Sequence, residues 1–256
     1  KNATGYNLTQ LIVGSEGTLG IITKIILKLI PHPTHDFLLL VPYFDATDAC
    51  KSVAALFQHG ITPSDLEFME RDAILLTQKF LGESPFPIKD NHAAHLLIEI
   101  DGFNAEQLME ECTQIMNVLE SFDTDEILFA ESQAQKDQLW KLRRSVGEAV
   151  KASSVYKEED TVVPRYELPK LLEHVKRIGN KYEFKSICYG HAGDGNLHIN
   201  ILKGNLSEDQ WKNELPKAIR ELFQEVVKLG GTLSGEHGIG LVQKQYMDIP
   251  FDATSL

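Results

Sequence analysis

HLLIEIDGFNAEQLMEECTQIMNVLESFDTDEILFA, residues 95–130, decides the fold class of this chain. His95–Ile100 reads as an apolar strand, Ala105–Leu119 as a helix and Glu126–Ala130 as a second strand. The same order precedes it. Asp36–Phe44 is a strongly apolar strand, and Asp45–His59 a helix with Asp45 or Thr47 as N-cap and Gly60 as C-cap. Leu66–Met69 is then a short strand and Asp72–Leu81 a helix. A β-α-β pattern with similar helix lengths thus occurs twice in about a hundred residues. This predicts an α+β fold of duplicated ferredoxin-like units, with helices on one face of a mostly antiparallel sheet.

Outward from this core, Gln10–Val13 and the β-branched run Ile21–Leu29 read as strands flanking GSEGTLG, and Pro31-His32-Pro33 breaks the pattern. Gln135–Lys151 reads as one long helix, and Tyr156–Val163 as irregular or extended chain ended by Pro164. Leu168–Tyr182 is a helix with Pro169 near its start. Ser186–Tyr189 and Leu197–Leu202 are strands around a Gly-Asp-Gly turn. Ser207 caps a helix that runs to Leu229, where Gly230-Gly231 ends it.

The 256 residues hold 43% apolar and 24% charged side chains, an ordinary globular balance. Acidic residues outnumber basic ones 37 to 25, for a net charge of −12, which argues against nucleic acid as a partner. Cys50, Cys112 and Cys188 are far apart and form no CxxC, so a reduced, cytoplasmic compartment is expected. No apolar run approaches the ~18 to 20 residues of a membrane span.

Chemistry concentrates in HAGDGNLH (His191–His198) and GEHG (Gly235–Gly238). Two imidazoles flank a turn in which Gly193, Asp194 and Gly195 permit a tight reversal. A His-x6-His pair alone is more often a turn with incidental histidines. Glu236 and His237 change the weighing, because adjacent residues in an extended loop point in different directions. One can then bind a metal while the other faces a substrate. Three N/O donors with an open position are what a catalytic metal site requires. GSEGTLG could cradle phosphate with its backbone amides, but it matches neither GxGxxG nor a P-loop. Arg143 lies on or beside the apolar face of its helix and could bind a carboxylate bidentately. Lys157 could add a second positive charge.

Five segments together, KNATGYNLTQLIVGSEGTLGIIT, LWKLRRSV, DTVVPRYELP, GHAGDGNLHINI and SGEHGIG, resemble the FAD-linked 2-hydroxy-acid dehydrogenases of the vanillyl-alcohol oxidase type. That family includes D-lactate dehydrogenases, the glycolate oxidase flavoprotein subunit and D-2-hydroxyglutarate dehydrogenase. The resemblance runs in order from Lys1 to Gln245. It implies that Gly14, Ser15, Glu16, Gly17, Thr18, Gly20 and Ile21 lie against FAD. It implies that His191, His198 and Glu236 hold a divalent metal, zinc being expected, and that His237 is the base. Arg143, Lys157 and Asn200 would hold the substrate carboxylate and neighbouring oxygens.

On this reading residues 1–33 are the last part of a FAD-binding domain and 34–256 its substrate-binding cap, a C-terminal fragment without its tail. The fragment alone is expected to hold little FAD and to be inactive. The intact enzyme would oxidise a D-2-hydroxy acid to the 2-oxo acid, pass hydride to the flavin and hand electrons to an unidentified acceptor. A homodimer stays open. Gly147 stands where some relatives supply a hydroxyl, which leaves glycolate, D-lactate and D-2-hydroxyglutarate undistinguished. The rival readings are a metal-dependent hydrolase, for which GSEGTLG has no use, and a non-catalytic carboxylate-binding module.

Overall fold

The computed structural model describes residues 4–256; the opening Lys1–Ala3 of the first motif lie outside the described residues. After a short helix α1 (Leu8–Ile12) the elements run β1 (His35–Tyr43), α2 (Ala46–Gln58), β2 (Asp65–Glu70), α3 (Arg71–Leu81), β3 (Ala94–Gly102), α4 (Ala105–Leu119) and β4 (Leu128–Phe129). They continue with α5 (Gln133–Arg144), α6 (Val146–Ser153), β5 (Tyr156–Val162), α7 (Leu168–Tyr182), β6 (Lys185–Gly190), β7 (Asn196–Leu202) and α8 (Leu215–Lys228). One sheet joins all seven strands in the order β4-β1-β3-β2-β6-β7-β5, every pair antiparallel.

That order contains two ferredoxin-like units set edge to edge. β1-α2-β2 and β3-α4-β4 interleave in the first, with α3 inserted between β2 and β3. The two β-α-β segments seen in the sequence are therefore the two halves of one unit. The second unit is β5-α7-β6-β7-α8 with its strands in mirrored order. A single bridge, Val162 to Thr232, takes the place of its fourth strand. The units join where β2 meets β6, through the pairs Phe68–Gly190 and Met69–Tyr189.

Helices α2, α4, α7 and α8 cover one face, as expected for such units. Leu56, Ile115, Val175, Ile178, Leu222 and Phe223 bury there against Leu39, Val41, Ile98 and Ile199. Each such side chain contributes roughly 1.5–3 kcal/mol of burial. The opposite face is also covered over part of its width. Leu139 and Leu142 of α5, Val146 and Val150 of α6 and Ile74 of α3 pack there on Leu38, Leu40, Met69, Leu97 and Ile187. Helix starts follow local chemistry: Asp45 accepts from the Thr47 N–H at 2.7 Å, and Ser132 with Gln135 forms a capping box.

Several elements differ from the sequence reading. Gln10–Val13 falls mostly in α1 rather than in a strand. Ile21–Leu29 joins no ladder among the described residues, and Ile21 is 92% exposed. β-propensity reports fit to a pleated, half-buried surface, and no neighbouring strand provides one. Ser145, at φ −90° and ψ −1°, divides the long helix into α5 and α6. The segment after Ser207 makes a π turn, Gln210–Glu214, before α8. Pro216 lies at the start of α8. It lacks an N–H and crowds the carbonyl four residues back, so a regular α ladder cannot run through it.

The alternation of β7 positions the site. Leu197, Ile199 and Ile201 enter the helix-covered core, while Asn196, His198 and Asn200 occupy the other face and are also buried. A row of buried polar groups thus lies beyond the edge of the apolar packing under α5 and α6.

His95 on β3 offers a test of this core. It is 1% exposed, edge-on to His92, and makes no hydrogen bond; burial foremost, then His92, lowers its pKa to about 3. The folded state keeps it neutral while the unfolded chain protonates near its ordinary ~6.5, so stability is full above that value and falls as pH drops toward 3. We expect urea unfolding of His95→Leu between pH 7 and 4 to show a slope flatter than wild type by up to about 1.4 kcal/mol per pH unit. Identical slopes would remove His95 from this role.

Candidate metal centre

The β6–β7 hairpin carries both histidines. Tyr189 pairs with His198, and the chain reverses through a 3-10 turn, Ala192–Asp194, into Gly195 at φ +76°. A Cβ on Gly195 would overlap the Val163 carbonyl oxygen, so only glycine fits. The reversal brings the His191 and His198 rings to 5.6 Å at 78°.

The segment 234–238 supplies the third donor, and one carboxylate holds it. Asp160 Oδ2 accepts from the backbone N–H groups of Gly235 (2.9 Å), Glu236 (2.8 Å) and His237 (2.8 Å) and from Ser234 Oγ (3.2 Å). Its Oδ1 accepts from Asn196 Nδ2 at 2.7 Å. Burial alone would raise the Asp160 pKa; the His237 N–H, the Asn196 amide and the Glu236 N–H overcome it and bring the value to about 2. Three amides turned toward one anion form a nest. With the backbone so turned, Glu236 Oε1 lies 3.6 Å from His191 Nε2 and 3.7 Å from His198 Nε2.

These separations suit a shared cation. Ligand bonds of roughly 2.0–2.2 Å in tetrahedral geometry put donors about 3.4 Å apart. Behind the first ligand, His191 Nδ1 is 2.7 Å from Glu67 Oε1, and Glu67 Oε2 accepts from Arg143 Nε at 2.9 Å. A carboxylate on the far nitrogen fixes the imidazole's orientation and presents its other nitrogen. The Glu67 hydrogen bond, against some burial, raises the His191 pKa, while burial lowers that of His198 to about 4. Neutral imidazole is the form that ligates. His198 Nδ1 has no hydrogen-bond partner, and the amide of Asn200, a residue 1% exposed, has only the Tyr189 hydroxyl beside it, outside good hydrogen-bond geometry. Buried orphans are rare in folded proteins and mark places prepared for a ligand.

The structure brings His191, His198, Glu236, His237, Asn200 and Arg143 to one region. The His237 ring stacks on His198 at 5.2 Å and 21°, half-exposed, with Nε2 3.9 Å from Glu236 Oε1. Arg143 lies over the Tyr189 ring and donates Nε to Glu67 Oε2, with Nη2 2.8 Å from the same oxygen but out of hydrogen-bond geometry; Nη1 has no protein partner among the described residues. Lys157 is elsewhere. It pairs with Ile201 in the β5–β7 ladder, so alternation turns it to the helix-covered face, near Glu159 and over the Tyr246 ring. Its neighbour Glu158 faces the histidines instead, with Oε1 3.6 Å from His198 Nδ1.

Of the loop residues Gly14, Ser15, Glu16, Gly17, Thr18, Gly20 and Ile21, all but the half-buried Ser15 are exposed. Glu16, at φ +50°, spans the gap to the other loop, its carboxylate accepting from the Ile239 N–H at 2.6 Å and the Gly240 N–H at 2.8 Å. The loop thus abuts the segment that carries His237.

Sequence reasoning missed Glu67, Glu158 and Asp160. A signal existed for Glu67, a carboxylate between Leu66 and Phe68 in an apolar strand. For Asp160→Ala we expect a loss of roughly 1–3 kcal/mol in urea unfolding, since the buried Asn196 amide and the main-chain amides of 235–237 lose their acceptor. Zinc affinity measured by competition with a chelator should fall at least tenfold in the same variant. Wild-type zinc affinity would show that the loop holds its shape without this carboxylate.

Comparison with known proteins places the chain. Residues 32–256 match the family described as FAD linked oxidases, C-terminal domain. The D-lactate dehydrogenase of Anaerostipes hadrus is 36% identical over 251 residues, covering 96% of this chain and 53% of that protein. Glycolate oxidase subunit GlcD of Bacillus subtilis is 33% identical, over 97% of this chain and 52% of its own length. D-2-hydroxyglutarate dehydrogenase of Stutzerimonas stutzeri is 30% identical, over 97% and 53%. The chain thus spans about half the length of the curated relatives it matches. Among solved structures, alkyldihydroxyacetonephosphate synthase aligns with a TM-score of 0.60 at 15% identity, covering 91% of this chain and 47% of that one. p-Cresol methylhydroxylase with substrate bound aligns at 0.57 and 15% identity, over 80% and 45%. At such identities the structures speak for the fold, and the family match, over most of the chain, identifies this protein as a member of the FAD linked oxidase C-terminal domain family.

Proposed function

We propose that this chain provides the substrate-binding half of an enzyme that oxidises a small D-2-hydroxy acid to the 2-oxo acid with FAD. The observation that carries the reading is the convergence of His191, His198 and Glu236, at donor separations that fit one cation, beside the further imidazole of His237. The relatives' names, D-lactate dehydrogenase and glycolate oxidase subunit, supply the substrate class.

His191, His198 and Glu236 would hold a divalent ion, for which two imidazoles and a carboxylate suit zinc. When bound, the ion supplies Lewis acidity at the substrate hydroxyl and the flavin a two-electron acceptor. His237 takes the hydroxyl proton on a ring nitrogen, and its stacking on His198 keeps the ring beside the ligands. Arg143 offers Nη1 to the substrate carboxylate, while Glu67 holds the guanidinium in place. Asn200 meets a substrate oxygen with an amide that makes no well-formed hydrogen bond to the protein. The Gly14–Ile21 loop is the chain's contact with the flavin, and Glu16 ties it to the segment that follows His237.

Two measurements on the full-length protein test this. Elemental analysis should find one zinc per chain in wild type and much less in His191→Ala or His198→Ala. Dye reduction with D-lactate or glycolate should slow by roughly 10²–10⁴-fold in His237→Ala while the metal is retained. Wild-type turnover in that variant would exclude His237 as the base, and a wild type free of divalent metal would sink the centre itself.

A further inference from the structure

The register of β5 against β7 determines which β5 side chains share the face of His198. Glu158 pairs with Asn200 and Asp160 with His198, so these four lie on one face. Lys157, Glu159 and Thr161 turn to the other. The site face of the two strands therefore carries two carboxylates and no cationic side chain. Asp160 is fully engaged, Oδ2 by the 234–237 segment and Oδ1 by the Asn196 amide. The Glu158 carboxylate makes no hydrogen bond among the described residues: its nearest ion-pair partner, His198 Nδ1, is 3.6 Å away, and its side chain keeps 26% exposure. Glu158, His198 and His237 have donor atoms within 4.8 Å of one another. Directly across the ladder Asn200 is 1% exposed, and its amide makes no well-formed hydrogen bond, with the Tyr189 hydroxyl beside it.

We infer that Glu158 and Asn200 form the subsite for the substrate's side chain, selecting a 2-hydroxy acid with a further hydroxyl group and rejecting one with a second carboxylate. The inference rests on the 2-hydroxy-acid reading given above. A hydroxyl both donates and accepts, which matches the Glu158 carboxylate as acceptor and the Asn200 amide as donor. A second carboxylate only accepts, and it would meet Glu158 as a like charge with Glu236 and Asp160 nearby. A site that pairs its buried polar groups with a substrate hydroxyl discriminates strongly against ligands that leave them unpaired.

D-glycerate and D-2-hydroxyglutarate probe the two side-chain types, measured by calorimetry on the zinc-loaded full-length protein and by dye reduction with the flavin present. Wild type should bind D-glycerate at least tenfold more tightly than D-2-hydroxyglutarate and show the same preference in kcat/KM. Glu158→Gln keeps the shape and removes the charge, so the preference should shrink at least tenfold; Glu158→Ala serves as a second variant. Equal affinities in wild type, or a preference that neither substitution moves, would overturn the subsite. Failure of the underlying reading looks different: neither acid binds the zinc-loaded protein or reduces dye, and the subsite then falls with it.

Discussion

The centre depends on one buried anion. Asp160 gives up nearly all contact with water, a step that costs several kcal/mol unless the charge is compensated. Its compensation comes mostly from main-chain N–H groups, with no salt bridge to a lysine or arginine among the described residues. Amides that converge on one acceptor fix the φ and ψ of the residues that own them, so Asp160 shapes the backbone of 234–237 as well as anchoring it. Glu236 and His237 are chain neighbours whose amides point inward together, which leaves their side chains free to turn apart. Glycines at 235 and 238 permit it: a Cβ on Gly235 would collide with the Asn196 amide, and Gly238 is at φ +81°.

The second physical theme is the use of both faces of one strand. β7 buries every residue from Asn196 to Ile201, apolar toward the helices and polar toward the site. The apolar row anchors the strand, and the polar row inherits that rigidity. Glu67 on β2 and Arg143 at the end of α5 then extend the polar row outward, so that His191 is oriented by groups from two further elements. Glu67 lies between the Arg143 guanidinium and the His191 imidazole, and these partners lower its pKa although burial, the largest influence on it, acts to raise it.

Much of this was legible in the chain. The helices Ala105–Leu119 and Leu168–Tyr182 have the bounds read from the sequence, the second with Pro169 near its start. HAGDGNLH and GEHG contain the imidazoles and the carboxylate that the fold brings together, because their glycines and donors are local features. What was illegible depends on register. Lys157 and Glu158 are adjacent, and only the pairing of β5 with β7 determines which of them faces the histidines. Asp160 is one of three consecutive acidic residues, Glu158 to Asp160, and its role is defined by amides some 75 residues away. The repeat was visible but misphased, since half of a split βαβ unit has the same strand–helix–strand signature as a whole crossover.

The meeting of β2 and β6 has a consequence for how the molecule is partitioned. Few backbone pairs join the units there, yet polar side chains bridge the same line. Glu67 reaches across to His191, and Glu70 reaches the Cys188 N–H and Lys176. The first unit contributes no metal donor of its own to the His191–His198–Glu236 trio, only the carboxylate that aims one. The centre is therefore a property of the joined pair: separating the two units would leave all three donors on one side and the means of orienting His191 on the other.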